Sequence, residues 1–287
     1  IVHYIKIFRQ GEHAMIRLDT TPVKTLLSKS KIAGFDYVIN PYVGCPHKCI
    51  YCYAEYMRKF SGHSEEWGEF LDVKQCETPL KPAKLFRTNV MLSSVTDPYN
   101  AYEKDYELTR KLLKQLVYCQ AKVHILTKSA LAVRDIDLFK QMYQCEVAFS
   151  SSSADDSFRQ AAEPRASSVQ DKINALKMLH EAGISTAVMV APLFPGITDW
   201  KKIINLTKPY TNRYGFDSLN MRPAFQSKVL DFVEGHCPDA LPLMGDIYIK
   251  QDTSYWTKLA KEITQYCHGQ NLRADIYFGS FASYSGE

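Results

Sequence analysis

The chain has 287 residues, 46% of them hydrophobic and 23% charged, with a formal net charge of +4. This composition excludes disorder and low complexity, and the length suits one large α/β core or two ordinary domains. A membrane-spanning helix is excluded as well, because the most apolar stretch, residues 184–195, is broken by Ser185, Thr186 and two prolines. The sequence opens at Ile1 without a basic-then-apolar leader, so a cytoplasmic protein lacking some leading residues is expected. A charge of +4 permits nucleic acid as a partner without arguing for it.

Taken in chain order, the first 33 residues read as a lead outside any repeat. Short apolar runs then mark strands over 35–42, 90–95, 122–126, 146–150, 185–190, 217–221 and 274–278. Residues 61–85 read as an insertion. Between the strands lie helical faces: Leu108, Leu112, Leu113 and Leu116; then Val169, Ile173, Leu176 and Leu179; then Trp256, Leu259 and Ile263. Strand and helix alternating about six times imply parallel pairing through right-handed crossovers. The expected fold is therefore α/β, a partial (β/α)6 TIM-type barrel of parallel strands spanning 34–225. The lead (1–33) and a C-terminal extension (226–287) pack around it. Polar or Gly/Pro-rich turns follow the strands at Gly44-Cys45-Pro46, Thr96-Asp97-Pro98, Thr127-Lys128-Ser129, Ser150–153 and Ala191-Pro192, which places a shared site at the C-terminal rim.

Eight cysteines in a chain of this length are too few for a disulfide scaffold, and three of them fall in one short loop, Cys45-Pro-His-Lys-Cys49-Ile-Tyr-Cys52. Three thiolates so spaced can wrap one [4Fe–4S] cube and leave its fourth iron open to another ligand. The competing reading is a zinc ion held by these cysteines and His47 in a zinc-stabilised nucleic-acid-binding module. The remaining five, Cys76, Cys119, Cys145, Cys237 and Cys267, show no C-x2-C pairing and read as small hydrophobes.

The C-x3-C-x2-C loop, with an aromatic before the last cysteine, resembles the radical S-adenosylmethionine (radical SAM) superfamily. Within it, the order of Ser94-Val-Thr-Asp97-Pro-Tyr, Leu126-Thr-Lys128-Ser, Val147-Ala-Phe-Ser150, Glu163-Pro-Arg-Ala-Ser-Ser168 and Val190-Ala191-Pro192 resembles the spore-photoproduct-lyase-like group. The resemblance covers residues 35–199. It implies a [4Fe–4S] cluster on Cys45, Cys49 and Cys52, with S-adenosyl-L-methionine chelating the open iron and cleaved reductively to a 5′-deoxyadenosyl radical that abstracts hydrogen from a substrate. It also implies a low-potential donor of flavodoxin or ferredoxin type. On the same resemblance, the Tyr51 backbone lies against the adenine and Thr96 and Asp97 meet the ribose or amino group. Lys128 and Ser150 hold the methionyl carboxylate, and the Ala191 backbone contacts the adenine. Glu163 and Arg165 are read evenly as a structural pair or as pocket lining.

One position departs from the lyases. Ser94 stands where they carry a cysteine that returns a hydrogen atom to the product radical, and a serine O–H is too strong for that task. Tyr53, Tyr99 or one of the five remaining cysteines are the alternative donors, and the substrate is left as a nucleic-acid lesion, a peptide or a small metabolite. A monomer is expected. Lys81, Lys84, Phe86 and Arg87 read as a solvated face rather than a phosphate-binding patch. Of the tyrosines gathered toward the C-terminus, Tyr248, Tyr255, Tyr266, Tyr277 and Tyr284, most are assigned to packing and some to a lid.

Overall fold

The computed structural model describes residues 3–6 and 15–278; Tyr284 lies outside them. In chain order the strands are β1 (His3–Lys6), β2 (Met15–Pro22), β3 (Leu27–Lys29), β4 (Tyr37–Ile39), β5 (Tyr42–Val43) and β6 (Phe70–Gln75). They continue as β7 (Asn89–Leu92), β8 (Lys122–Thr127), β9 (Gln144–Ser150), β10 (Ser185–Leu193), β11 (Arg213–Ser218) and β12 (Ala274–Ile276).

The main sheet has eight strands in the order β12-β11-β10-β9-β8-β7-β4-β3. From β4 to β12 every pairing is parallel, and β3 closes one edge antiparallel to β4. Seven parallel strands joined by six crossovers form an open, partial barrel, and β3 and β12 remain its edges among the described residues.

Alternation along β8 shows why these residues form a strand. Val123, Ile125 and Thr127 are buried while Lys122, His124 and Leu126 are partly exposed. The predicted helical faces lie against this sheet. Leu112, Leu113 and Leu116 of the helix Leu108–Leu116, Leu176 and Leu179 of Val169–Glu181, and Trp256, Leu259 and Ile263 of Ser254–Gly269 enter one core with Val123 and Ile125. Several of these helices begin on side-chain caps: Ser168 Oγ accepts from the Asp171 N–H at 3.0 Å, and Asp199 Oδ1 from the Lys202 N–H at 2.9 Å.

Two strand boundaries differ from expectation. The run 35–42 breaks at Asn40-Pro41, because the Asn40 side chain leaves the sheet to accept the Ser94 N–H at 2.8 Å. The strand expected over 217–221 begins at Arg213 instead. Arg213 pairs with Ala187 on β10, and its guanidinium bonds Glu146 and Asp275 on either side. Gly215 weakens the local strand pattern; the Met189 side chain packs into the space it leaves, 2.2 Å from where a Cβ would stand.

The lead and the insertion come together. β2 pairs in parallel with β6, β6 pairs antiparallel with β5, and with β1 they form a four-stranded sheet directly before the cysteine loop. At the far side of that loop, Tyr51 packs with Phe158, Phe194 and Leu219, and with Phe225, Val229 and Met244 from the helices Pro223–His236 and Leu241–Tyr248. The C-terminal helices thus cover the rim where the parallel strands end. The described tyrosines of this region are divided: Tyr248 donates to the Leu219 carbonyl and Tyr255 accepts the Gly196 N–H, whereas Tyr277 is exposed.

Candidate active site

The cysteine loop is a constrained turn. Gly44 has φ +87°, and a Cβ there would lie 2.4 Å from the Phe70 carbonyl oxygen, so only glycine lets the chain pass β6. Gly68, at φ +100°, leaves room for the Lys48 side chain in the same way. Four connections hold the loop from outside. Thr96 Oγ1 donates to the Gly44 carbonyl at 2.6 Å, and the Ile50 N–H donates to the Ala162 carbonyl at 3.0 Å. Arg165 Nη1 reaches the carbonyls of Pro46 (3.3 Å) and Gly68 (2.9 Å), and Lys48 pairs with Glu69.

Cys45, Cys49 and Cys52 are free thiols, Cys45 buried and the other two half-buried. Burial pushes all three thiols upward. At Cys45 the neighbouring Asp97 charge adds to the effect, and at Cys49 the Lys128 ammonium opposes it. The indole N–H of Trp67 donates to Cys52 Sγ at 3.2 Å. Among the described residues, the group whose ligand atoms converge within 4.8 Å of one another is Asp19, His63 and Asp72, not the cysteines. A single tetrahedral ion would gather its sulfurs within that distance, whereas thiolates on separate irons of a cube stand further apart. His47 is committed elsewhere: Nδ1 donates to the Arg165 carbonyl at 3.0 Å and Nε2 lies 3.0 Å from Asp97 Oδ2. The donor set therefore fits a three-thiolate iron–sulfur cluster better than a Cys3His zinc centre.

Asp97 is the hub between three strand ends. It is 5% exposed and accepts from Thr127 Oγ1 (2.7 Å), the Lys128 N–H (2.8 Å) and the Tyr99 N–H (2.8 Å), besides facing His47. Burial alone would raise its pKa; the His47 ring and these donors outweigh burial and lower it. The carboxylate thus fixes the end of β7 to the end of β8 and to the cysteine loop.

Lys128, Ser150 and Ala191, at the ends of β8, β9 and β10, form one chain of hydrogen bonds. Lys128 Nζ donates to Ser150 Oγ at 2.5 Å, and Ser150 Oγ donates to the Ala191 carbonyl at 2.9 Å. Behind them lies Glu163, fully buried, to which the Tyr51 hydroxyl donates, as does Ser152 Oγ at 2.6 Å. Lys128 and Lys172 flank it at 3.4 and 3.8 Å. Burial would raise the Glu163 carboxyl, but the two ammonium groups and the hydroxyl donors reverse the sign and hold it at about 2. The ammonium of Lys128 also lies 5.5 Å from the Tyr51 ring centroid.

The remaining sequence-predicted residues separate. Tyr53, half-exposed, donates its hydroxyl to the Ser94 carbonyl, and Ser94 is held by Asn40, so these two share one edge of the rim. The Arg222 guanidinium lies over the rings of Tyr53 (5.9 Å) and Tyr56 (5.7 Å). Tyr99 is fully buried in the main core, with its hydroxyl 3.0 Å from Asp135. Arg165 braces the loop and Glu163 lies behind Lys128, so they are not partners of each other. Lys81, Lys84, Phe86 and Arg87 are exposed at the opposite end of the sheet, before β7 begins. Trp67, Lys172 and the bracing role of His47 were not read from sequence, since each acts through contacts at least nine residues distant.

No helix among the described residues is long and apolar enough to cross a membrane. The family model of the radical SAM superfamily matches residues 39–206. An uncharacterised protein of Methanocaldococcus jannaschii is 35% identical over 82% of this chain and 89% of its own length. A protein of Pseudomonas phage M6 named a radical SAM Nalpha-GlyT isomerase is 27% identical over 58% of this chain and 35% of its own. Among solved structures, a spore photoproduct lyase variant with bound AdoMet and dinucleoside spore photoproduct has a TM-score of 0.55 at 15% identity, covering 77% of this chain and 66% of the lyase. Streptococcus suis SuiB bound to S-adenosylmethionine has a TM-score of 0.54 at 13% identity, covering 86% of this chain and 52% of SuiB. At these identities the structural likenesses speak for the fold. With the cysteine loop at the rim of an open parallel barrel and the family match spanning more than half the chain, this protein belongs to the radical SAM superfamily.

Proposed function

We propose that the chain is a radical SAM enzyme of the spore-photoproduct-lyase-like group acting on a nucleic-acid base. Its catalytic core is residues 34–225, with 1–33 and 226–287 as flanking elements. Cys45, Cys49 and Cys52 would hold a [4Fe–4S] cluster, which supplies low-potential electrons for reductive cleavage of S-adenosyl-L-methionine. The observation that carries this reading is the convergence of the three-thiol loop with Asp97, Lys128, Ser150 and Ala191 on one rim.

Each residue has a task there. Lys128 presents an ammonium, and Ser150 a hydroxyl, to the methionyl carboxylate. Tyr51 and Ala191 offer backbone to the adenine, and Thr96 lies beside Gly44 to meet the ribose or amino group. Asp97 holds these strand ends in register and, with Thr96, would meet the ribose or amino group of the cofactor. Glu163 helps keep Lys128 charged and aimed: burial opposes the ammonium, but the Glu163 carboxylate together with Cys49 and Asp97 outweighs it and raises the Lys128 pKa.

For the substrate, Arg222 beside Tyr53 and Tyr56 offers a cation and aromatic faces at the rim, a combination that suits a base and its phosphate. Ser94 makes the lyases' own thiol return impossible at that position. Tyr53, tied to Ser94, is the donor this arrangement supports, whereas Tyr99 serves the core. A low-potential flavodoxin or ferredoxin would supply electrons to a monomeric, cytoplasmic enzyme.

Anaerobic reconstitution should give about four irons per chain and reductive release of 5′-deoxyadenosine. Retention of both by the Cys45→Ala/Cys49→Ala/Cys52→Ala variant would overturn the cofactor reading. Deuterium passing from base-labelled oligonucleotides into 5′-deoxyadenosine supports the substrate; no transfer from DNA or RNA, with cofactor cleavage intact, refutes that part alone.

A further inference from the structure

A second polar cluster, which the proposed reaction does not use, lies in the four-stranded sheet. Asp19 on β2 and Asp72 on β6 are direct partners in parallel register, so their side chains leave the sheet on one face. His63, from the segment between the cysteine loop and β6, lies flat on the Phe70 ring, with centroids 4.1 Å apart and planes 22° apart. This stacking fixes the imidazole with Nε2 2.7 Å from Asp72 Oδ1. One ligand atom from each of Asp19, His63 and Asp72 lies within 4.8 Å of the other two.

Burial and charge fit this cluster to a cation. The His63 and Asp72 side chains are 5% and 7% exposed and Asp19 is 21% exposed, so the three ligand atoms converge in a largely closed site. Arg17 bonds Asp19 Oδ2 at 2.9 Å and Glu65 Oε1 at 3.2 Å, while Asp72 meets the His63 ring and the charge of Lys74. Two aspartates brought side by side at a partly buried face repel one another, and a cation joining them relieves that cost.

We propose that Asp19, His63 and Asp72 bind one divalent transition ion. One imidazole with two carboxylates suits ions of the Mn2+ and Zn2+ class rather than Ca2+ or Mg2+, which favour all-oxygen sites. Ligation through Nε2 places the ring proton on Nδ1, and Glu65 Oε2, 3.6 Å from Nδ1, is the carboxylate that faces it. A carboxylate behind a ligating histidine is the usual way its tautomer is fixed. Arg17 holds Asp19 by Oδ2 and leaves Oδ1 for the ion. The ion would clamp β2, β6 and the 61–69 segment together, and Asp72 pairs with Val43, two residues before Cys45.

The test is a Mn2+ titration of the full chain, followed by loss of the free-ion electron paramagnetic resonance signal. It is run on the cluster-loaded protein and on the Cys45→Ala/Cys49→Ala/Cys52→Ala variant, with Zn2+ dialysis on the latter. One ion per chain is expected in both proteins, whatever the fate of the cysteine site. Asp72→Asn and His63→Gln should weaken binding about tenfold or more, and the milder Asp19→Asn likewise, with circular dichroism verifying the fold. Absence of uptake of either ion at about 1 mM, or uptake undiminished by all three substitutions in folded protein, overturns the proposal.

Discussion

Replacing Glu163 by glutamine removes one buried charge and leaves the shape of the site nearly unchanged. Glutamine can still accept from Tyr51 and Ser152, so the hydrogen bonds are largely conserved. Lys128 and Lys172, 15% and 4% exposed, lose the carboxylate they share. Breaking a buried ion pair by removing one partner costs about 3–5 kcal/mol, and the retained hydrogen bonds put this case near the lower end. At roughly 2–4 °C per kcal/mol, the midpoint of thermal unfolding should fall by about 6–12 °C, measured by circular dichroism on cluster-free protein. The pH dependence carries an independent signature. In the folded chain Glu163 is held at about 2, below the ordinary value near 4.3 of an unfolded glutamate. Its stabilisation is therefore complete above the unfolded value and is lost as pH falls toward 2. Wild-type protein should lose stability through that acid window more steeply than Glu163→Gln. A midpoint shift under about 2 °C, or superimposable acid limbs, would refute the view that Glu163 neutralises the two lysines.

Further outcomes follow from single contacts. Gly44→Ala should cost at least about 1–3 kcal/mol in stability and reduce iron incorporation with every cysteine intact, because its Cβ meets the Phe70 carbonyl; iron analysis with thermal unfolding checks it. Trp67→Phe removes the N–H donated to Cys52 Sγ, so the reconstituted cluster should show a more negative midpoint potential in redox titration, and an unchanged potential counts against that contact. Glu146 would be raised by burial, but His124 and Arg213 bring it down to about 2. Arg213→Met should thus weaken the fold at neutral pH and flatten the stability lost between about pH 4.3 and 2, read from urea midpoints.

Much of the architecture was legible because it rests on local periodicity. The leucines at 108, 112, 113 and 116 can bury one face only as a helix, and Val123, Ile125 and Thr127 only as a strand. The cysteine spacing was equally local: three thiols in eight residues form one loop, whatever surrounds it. The strand at Arg213 starts earlier than its local pattern predicts, because its start is decided by pairing with Ala187 and by Glu146 and Asp275, distant in sequence.

Local patterning specifies a parallel α/β core, a rim where polar turns gather, and a thiol loop suited to an iron–sulfur cluster. Tertiary structure alone decided how that rim is held. It brought Asp97 to His47 and Thr127, Glu163 to Lys128 and Lys172, and Trp67 to Cys52. It also folded the lead onto the insertion, which set Asp19 beside Asp72 and His63. The physical reason is that periodicity reports which face of an element seeks the core. Buried charges and hydrogen-bond donors are satisfied by whatever partner the completed fold places within about 3 Å.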